Sequence, residues 1–147
     1  MPMSENKDLK IIPIKDVQDI FVGNKRYYEE TKGKINLENL KNYPLIFQKL
    51  PSNTRCYLDN YLKSNKRNLK PQLEVVSYNL IMDLVKAGFG IGYATKEFII
   101  DELNNNSLYE IKVIPKIPKR YIGLVTMNKK TPNYSVNKLI KMMTTKK

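Results

Sequence analysis

Along this chain short continuous apolar runs alternate with stretches in which apolar residues return every third or fourth position. Residues 11–14 and 17–22 are runs of the first kind and predict extended segments. Leu37 and Leu40 share one face of a short helix over 37–41, which Asn36 is placed to cap. Residues 43–47 form an apolar run of strand length. Ser52, Asn53 and Thr54 are helix-capping residue types, and Tyr57, Leu58, Tyr61 and Leu62 then repeat at helical spacing, which predicts a helix to about Leu62. A strand over 73–76 follows. Ser77 and Asn79 can cap a helix over 80–87, and Gly88 stands where a helix end favours a left-handed residue. Residues 89–94 predict a strand lightened by glycine, and 95–103 a helix begun by Thr95 and stopped by Asn104 to Asn106. Residues 108–113 and 121–126 predict strands, with Pro115 and Pro118 marking a crossover between them, and 135–143 predict an amphipathic helix. The polar stretches 65–70 and 128–133 are expected to be surface loops. Strands alternating with helices of this length predict an α/β domain with a largely parallel sheet.

Composition narrows the chemistry. The 147 residues are 41% hydrophobic and 27% charged, enough for one domain or a little more with an ordinary core. There is no histidine and one cysteine, Cys56. Ser-His-Asp, Cys-His and HExxH catalysis are therefore excluded, as are an intrachain disulfide and a cysteine zinc cluster. No metal or other cofactor is expected. No apolar stretch approaches the ~18 residues of a membrane helix, and residues 1–10 are a polar tail with no secretory h-region. These features point to a cytoplasmic, cofactor-free protein whose first ten residues are disordered or extraneous to the domain.

The net charge of +12 draws attention to nucleic acid, but its make-up favours a solvated basic surface. Of 26 basic residues, 22 are lysine and four are arginine, the better phosphate fork; 16 asparagines accompany them, and the lysines are spread along the chain. Tyr27, Tyr28, Tyr57, Tyr61, Tyr78 and Tyr93 fall at helical and strand spacings, which places them in a core or its rim rather than in a base-stacking array. Glu29-Glu30 and Asp101-Glu102 are expected on solvated faces.

In open α/β sheets ligands bind beyond the carboxyl ends of strands, where helices begin. Two such junctions carry hydroxyl and amide side chains: 47–55, with Ser52, Asn53, Thr54 and Arg55, and 75–79, with Ser77, Tyr78 and Asn79. Each offers backbone N–H groups and a positive helix end, suited to a carboxylate or phosphate. Each is also accounted for by capping alone, and both readings stand. Arg55 is either an anion clamp or a surface arginine; a cation in a first helical turn costs ~0.3–1 kcal/mol and needs compensation. The run Gly88-Phe89-Gly90-Ile91-Gly92 lacks GxGxxG spacing, and it leaves a helix and enters a strand, the reverse of a dinucleotide fingerprint. Gly90 suits packing, and Gly92 suits packing or a ligand. Cys56 is expected to be a small core hydrophobe.

The run Tyr43-Pro-Leu-Ile, Ser52-Asn-Thr-Arg55 and Tyr57-Leu-Asp59 resembles the effector-binding domain of LysR-type transcriptional regulators. So does the segment from Glu74 through Ser77-Tyr-Asn to Gly88-Phe-Gly-Ile-Gly92, and 118–125 is similar to the part that returns to the first subdomain. The resemblance covers about residues 10–143. It implies a type II periplasmic-binding-protein-like α/β fold, mainly the second regulatory subdomain (20–112) with a partial first subdomain (11–19 and 113–147). It implies crossovers near 18–22 and 111–114 and a small effector in an inter-subdomain cleft. By position it assigns effector contacts to Ser52, Asn53 and Thr54, to Ser77, Tyr78 and Asn79, and to Gly92 and Tyr93, and the anion-clamp reading adds Arg55 to the candidate contacts. The implied partners are a small, anionic effector and other copies of the chain, with no membrane. DNA is expected to be contacted only through an N-terminal helix-turn-helix that this sequence does not contain. The resemblance also implies that the opening half of subdomain one lies outside this sequence. Segments 11–14, 121–125 and 139–143 are therefore expected to lose packing partners and to bury that surface in a dimer or against a neighbouring chain. Three other readings remain: a solute-binding domain of the same fold, a basic nucleic-acid-binding module, and an enzyme, for which no catalytic constellation is found.

Overall fold

A computed structural model of the chain describes residues 8–127 and 133–144. The chain divides into two compact units, one spanning Gln18–Pro118 and the other made of Met1–Val17 with Lys119–Lys147. The larger unit is built on a six-stranded sheet. Its strands are β2 (Asp19–Gly23), β3 (Lys34–Asn36), β4 (Leu45–Gln48), β5 (Leu73–Val75), β6 (Ile91–Thr95) and β7 (Tyr109–Ile114). They lie in the order β3-β7-β2-β6-β4-β5. β4 runs parallel to β5 and β6, and β3 parallel to β7, but β2 is antiparallel to both of its neighbours. The sheet is thus mixed where the pattern predicts a largely parallel one. Apolar runs report burial on both faces, and they carry no information on strand direction.

Period-two alternation sends the two sides of each strand into two separate core layers. Phe21, Leu45, Phe47, Ile91 and Tyr93 face one side and pack with Tyr27, Leu37, Leu40, Leu58 and Leu62. Ile20, Val22, Ile46 and Ala94 face the other and pack with Ile81, Met82, Val85, Ile99 and Leu108. The helices are α1 (Lys25–Glu30), α2 (Asn53–Ser64), α3 (Tyr78–Lys86) and α4 (Ile100–Asn104). α2 therefore covers one face of the sheet and α3 the other.

The predicted caps hold for α2 and α3. Ser52 Oγ accepts from Arg55 N at 3.2 Å, and Ser77 Oγ accepts from Leu80 N at 3.3 Å. α3 closes into Gly88 at φ +85°, a conformation that costs glycine little. Asn36 does not cap: residues Leu37–Asn42 form a 3-10 turn with no side-chain cap bond. The single helix expected over 95–103 is two pieces, a 3-10 turn over Lys96–Phe98 and α4, because Thr95 is held in β6 and its hydroxyl donates to Asp19 Oδ1 at 2.7 Å. α1, capped by Asn24 Oδ1 on Tyr27 N, and the three-residue β3 had no counterpart in the pattern. Cys56 is half-buried at the edge of the core rather than inside it.

The smaller unit holds β1 (Leu9–Val17) and β8 (Arg120–Met127), an antiparallel ribbon running from Leu9↔Met127 to Val17↔Arg120 with a register shift between Pro13 and Lys15. It also holds α5 (Tyr134–Thr144). β1 begins at Leu9, so the polar tail is shorter than ten residues. Of the expected loop at 128–133, residues 128–132 lie outside the described residues.

Candidate functional site

Because β4, β5 and β6 are parallel, their carboxyl ends at Gln48, Val75 and Thr95 lie along one edge of the sheet. The two junctions singled out in the sequence leave from adjacent strands on that edge, since Gln48 pairs with Val75. Lys49 N donates to Val75 O at 2.9 Å, which ties the first junction to the second. Gln48 then links both: its Nε2 donates to Val76 O at 3.3 Å, and its Oε1 accepts from Ser52 Oγ at 2.7 Å. Ser52 is thereby fixed as donor to Gln48 and as cap of α2. Asn53, Ser77 and Asn79 are exposed, and Thr54 and Tyr78 are half-buried. The structure so brings Ser52, Asn53, Thr54, Ser77, Tyr78 and Asn79 to the mouths of two helices that start side by side. The positive ends of both helices face that edge.

Arg55 is turned toward carboxylates of its own fold. It is 8% exposed, and its Nε donates to Asp59 Oδ1 and Oδ2 at 2.9 and 3.0 Å. One terminal nitrogen donates to Glu74 Oε1 at 2.6 Å and to Gln48 O at 3.4 Å, and the guanidinium lies 5.3 Å from the Phe47 ring centroid. Burial opposes its charge, but the bonds to Asp59 and Glu74 outweigh burial and hold its pKa above the ordinary arginine value. Two carboxylates already take this charge, and they supply the compensation that a cation in a first turn requires. Arg55 ties α2 to β4 and β5.

Gly92 and Tyr93 are placed away from that edge. They lie three and two residues short of Thr95, in the fully buried body of β6. A Cβ at Gly92 would stand 2.7 Å from Val85 Cγ2, so the glycine is required by the close approach of α3. At Gly90 a Cβ would meet Pro44 O at 2.5 Å, which is the packing role expected there. Tyr93 alternates to the other face, where its ring centroid lies 5.0 Å from that of Phe21 and 6.3 Å from that of Phe47; it is a core aromatic.

The sequence reading missed the polar groups at the end of β6. Asp19 and Thr95 are cross-strand partners, both buried, joined by the hydroxyl-to-carboxylate bond. Beside them Gln18 N donates to both oxygens of Glu97, at 3.0 and 3.2 Å, and Gln18 Nε2 donates to Asp19 O and Ile117 O. An aspartate inside an apolar strand run was the available signal, because an isolated buried carboxylate is costly unless it is bonded. Tyr78 packs edge-on to Phe98 with ring centroids 6.4 Å apart. Burial pushes its phenol up to about 12, backbone hydrogen bonding at Thr95 opposes that shift, and the nearby Asp19 and Glu102 carboxylates add to it. Tyr78 is therefore a neutral hydroxyl at any ordinary pH, able to donate a hydrogen bond but not to act as a base.

The crevice thus offers hydroxyls, amides and helix N-terminal N–H groups, with its one nearby guanidinium already neutralised. Such a set holds and orients an anion or a polyhydroxylated molecule. It contains no activated nucleophile. Among the described residues no group of three or more His, Cys, Asp or Glu side chains is gathered as a metal ion needs. No helix among them is long and apolar enough to cross a membrane.

A search of curated proteins finds no match. Among solved structures, the Synechocystis PCC6803 CcmR regulatory domain in complex with 2-PG superposes with a TM-score of 0.84 at 18% identity, covering 98% of this chain and 69% of that one. The effector binding domain of QuiR in complex with shikimate gives 0.80 at 16% identity, covering 97% and 66%. The regulatory domain of CrgA, a LysR-type transcriptional regulator from Neisseria meningitidis, gives 0.70 at 12%, covering 95% and 69%. The chain spans about two thirds of the length of each, and at these identities the likeness establishes the fold, that of type II periplasmic-binding-protein-like regulatory domains. The profile of the LysR substrate binding domain matches residues 2–146, and the chain belongs to that family.

Proposed function

We propose that this domain is the effector-sensing part of a cytoplasmic LysR-type transcription regulator. It binds a small organic anion at the shared carboxyl edge of β4, β5 and β6. The observation that carries the reading is the pair of serine-capped helices, α2 and α3, starting side by side from adjacent parallel strands. Two helix N-termini at neighbouring strand ends favour negative charge between them more than either does alone. Ser52, Asn53, Thr54, Ser77 and Asn79 supply the neutral donors and acceptors that would select among anions, with Tyr78 behind them, its hydroxyl buried. The domain is regulatory rather than enzymatic, and contact with DNA belongs to a reader domain. Effector binding acts by shifting the population between two arrangements of an oligomer, which requires different affinities for the two. Residues 20–112 act as the effector-binding subdomain, with 11–19 and 113–147 contributing to the other.

The test is a thermal-shift screen of the 147-residue chain against small carboxylates, amino acids, sugar phosphates and short DNA at fixed salt. A stabilisation of 1 kcal/mol moves the midpoint by roughly 3–5 °C in a domain of this size. One class of organic anion should raise the midpoint, and Thr54→Ala or Ser77→Ala should abolish the ligand-induced rise. A rise that survives both substitutions places binding elsewhere. A rise with DNA alone favours a basic nucleic-acid module.

A further inference from the structure

The opposite lateral edge of the same sheet carries a second, unrelated arrangement. β3 and β7 pair in parallel with Lys34 directly opposite Lys112. Both side chains are exposed, and cross-strand partners share a face, so two ammonium groups stand beside each other. Like charges directly opposite destabilise a strand pair. Lys32, at φ 52° in the turn that leads into β3, brings a third. Among the described residues none of these three lysines forms an ion pair. Elsewhere basic side chains do find partners: Lys25 with Glu29, Arg26 with Glu30, Lys86 with Glu102.

The three lysines border a groove of about 640 Å³ within the Gln18–Pro118 unit. Its carboxylate, Glu110, is already held by Lys96 Nζ at 2.6 Å and does not offset them. One wall is aromatic: Tyr28 and Tyr109 stack with centroids 5.0 Å apart and an interplanar angle of 30°. Gly33 lies against Tyr28 so closely that a Cβ there would stand 2.7 Å from the ring, which fixes the turn under it. Ile100 and Leu103 add apolar surface. Four strand steps separate β3 from β4, about 19 Å, so the groove is distinct from the crevice at α2 and α3.

We propose that this groove is a second anion site, which takes a small polyanion carrying two or more phosphate groups on a planar or apolar body. Lys34 and Lys112 share the phosphates, and their mutual repulsion is relieved when the anion lies between them. Lys32 closes the mouth, and Tyr28 supports the body of the ligand.

Calorimetric titration of the whole 147-residue chain with pyrophosphate and with ATP tests this. The expected result is a single micromolar site at low salt, weakened at least tenfold in the Lys34→Gln/Lys112→Gln double variant. The control double variant Lys63→Gln/Lys66→Gln, which removes the same charge at the far end of α2, should bind within twofold of the parent. ATP should bind several-fold tighter than pyrophosphate, and Tyr28→Ala should remove that advantage. The Lys34→Gln/Lys112→Gln protein should melt no lower than the parent, because the change removes a repulsion. No binding of either probe at millimolar concentration overturns the proposal. So does an equal loss in the control variant, which would mean diffuse attraction to a basic surface. Loss of binding in Ser77→Ala would move the polyanion to the helix crevice, and duplex DNA binding tighter than ATP through the same lysines would replace the small ligand by nucleic acid; either contradicts it.

Discussion

Arg55 shows how one buried side chain can be assigned by its partners. A bifurcated bond from Nε to both oxygens of Asp59 fixes the side chain along α2, and the bond to Glu74 makes it a structural tie between α2 and β5. Arg55→Met keeps the stem and strips both carboxylates of their partner. Because the Asp59 and Glu74 side chains retain 22% and 42% exposure, the cost should be about 2 kcal/mol, below the range for fully buried pairs. Chemical denaturation should show that loss while the ligand-induced thermal shift persists; an unchanged stability with ligand response abolished would restore Arg55 as an anion clamp. Gly92→Ala should cost about 1–3 kcal/mol through overpacking against Val85 and Ile81, again read from denaturation midpoints. Tyr78 gives a pH signature. Its folded pKa, about 12, lies above the ordinary value of 10, so the folded state holds the proton more tightly. Its contribution to stability is complete below pH 10 and is lost as pH rises through 12. The melting curves of the parent and Tyr78→Phe should therefore run parallel below pH 10 and converge or cross above it. Parallel behaviour to pH 12 would show that the phenol is not held in this way.

At the scale of elements, the helix starts are the most sequence-determined features. Ser52 and Ser77 each satisfy a first-turn N–H, and replacing either by alanine should lower stability by about 1 kcal/mol, while Asn36→Ala, which removes no cap bond, should change it little. Equal losses at all three would refute the assignment of caps. α2 and α3 were readable because their apolar residues repeat behind a capping serine. α1 was not, since only Tyr27 of its six residues is buried and so no period develops. β3 has three residues, too few for alternation to register. The direction of β2 and the break in the helix after Thr95 depend on long-range pairing, Asp19 with Thr95, which no local pattern contains. The same limit applies to the site. Hydroxyl-rich junctions were visible as residues, but the close approach of α3 to Gly92 and the direction that sends Tyr93 into the core follow from tertiary packing.

At the scale of the molecule, the two units differ in how well they cover themselves. The Gln18–Pro118 unit has two filled core layers. The smaller unit leaves Tyr121, Val125 and Met127 of β8 and Tyr134, Leu139 and Met142 of α5 at 46–81% exposure. Apolar surface of that extent favours association. Sedimentation velocity at tens of micromolar should show a dimer, and Leu139→Glu/Met142→Glu should return it to monomer without lowering the melting temperature. A clean monomer of the parent at high concentration would contradict this. The central claim, an anion site at the shared edge of β4, β5 and β6, is tested most directly by NMR titration of the labelled chain with the organic anion that gives the largest thermal shift. The account predicts that the largest amide shifts fall at residues 52–54 and 77–79 while Arg55–Asp59–Glu74 stays in place. Shifts centred elsewhere, with those two helix starts unmoved, would contradict it.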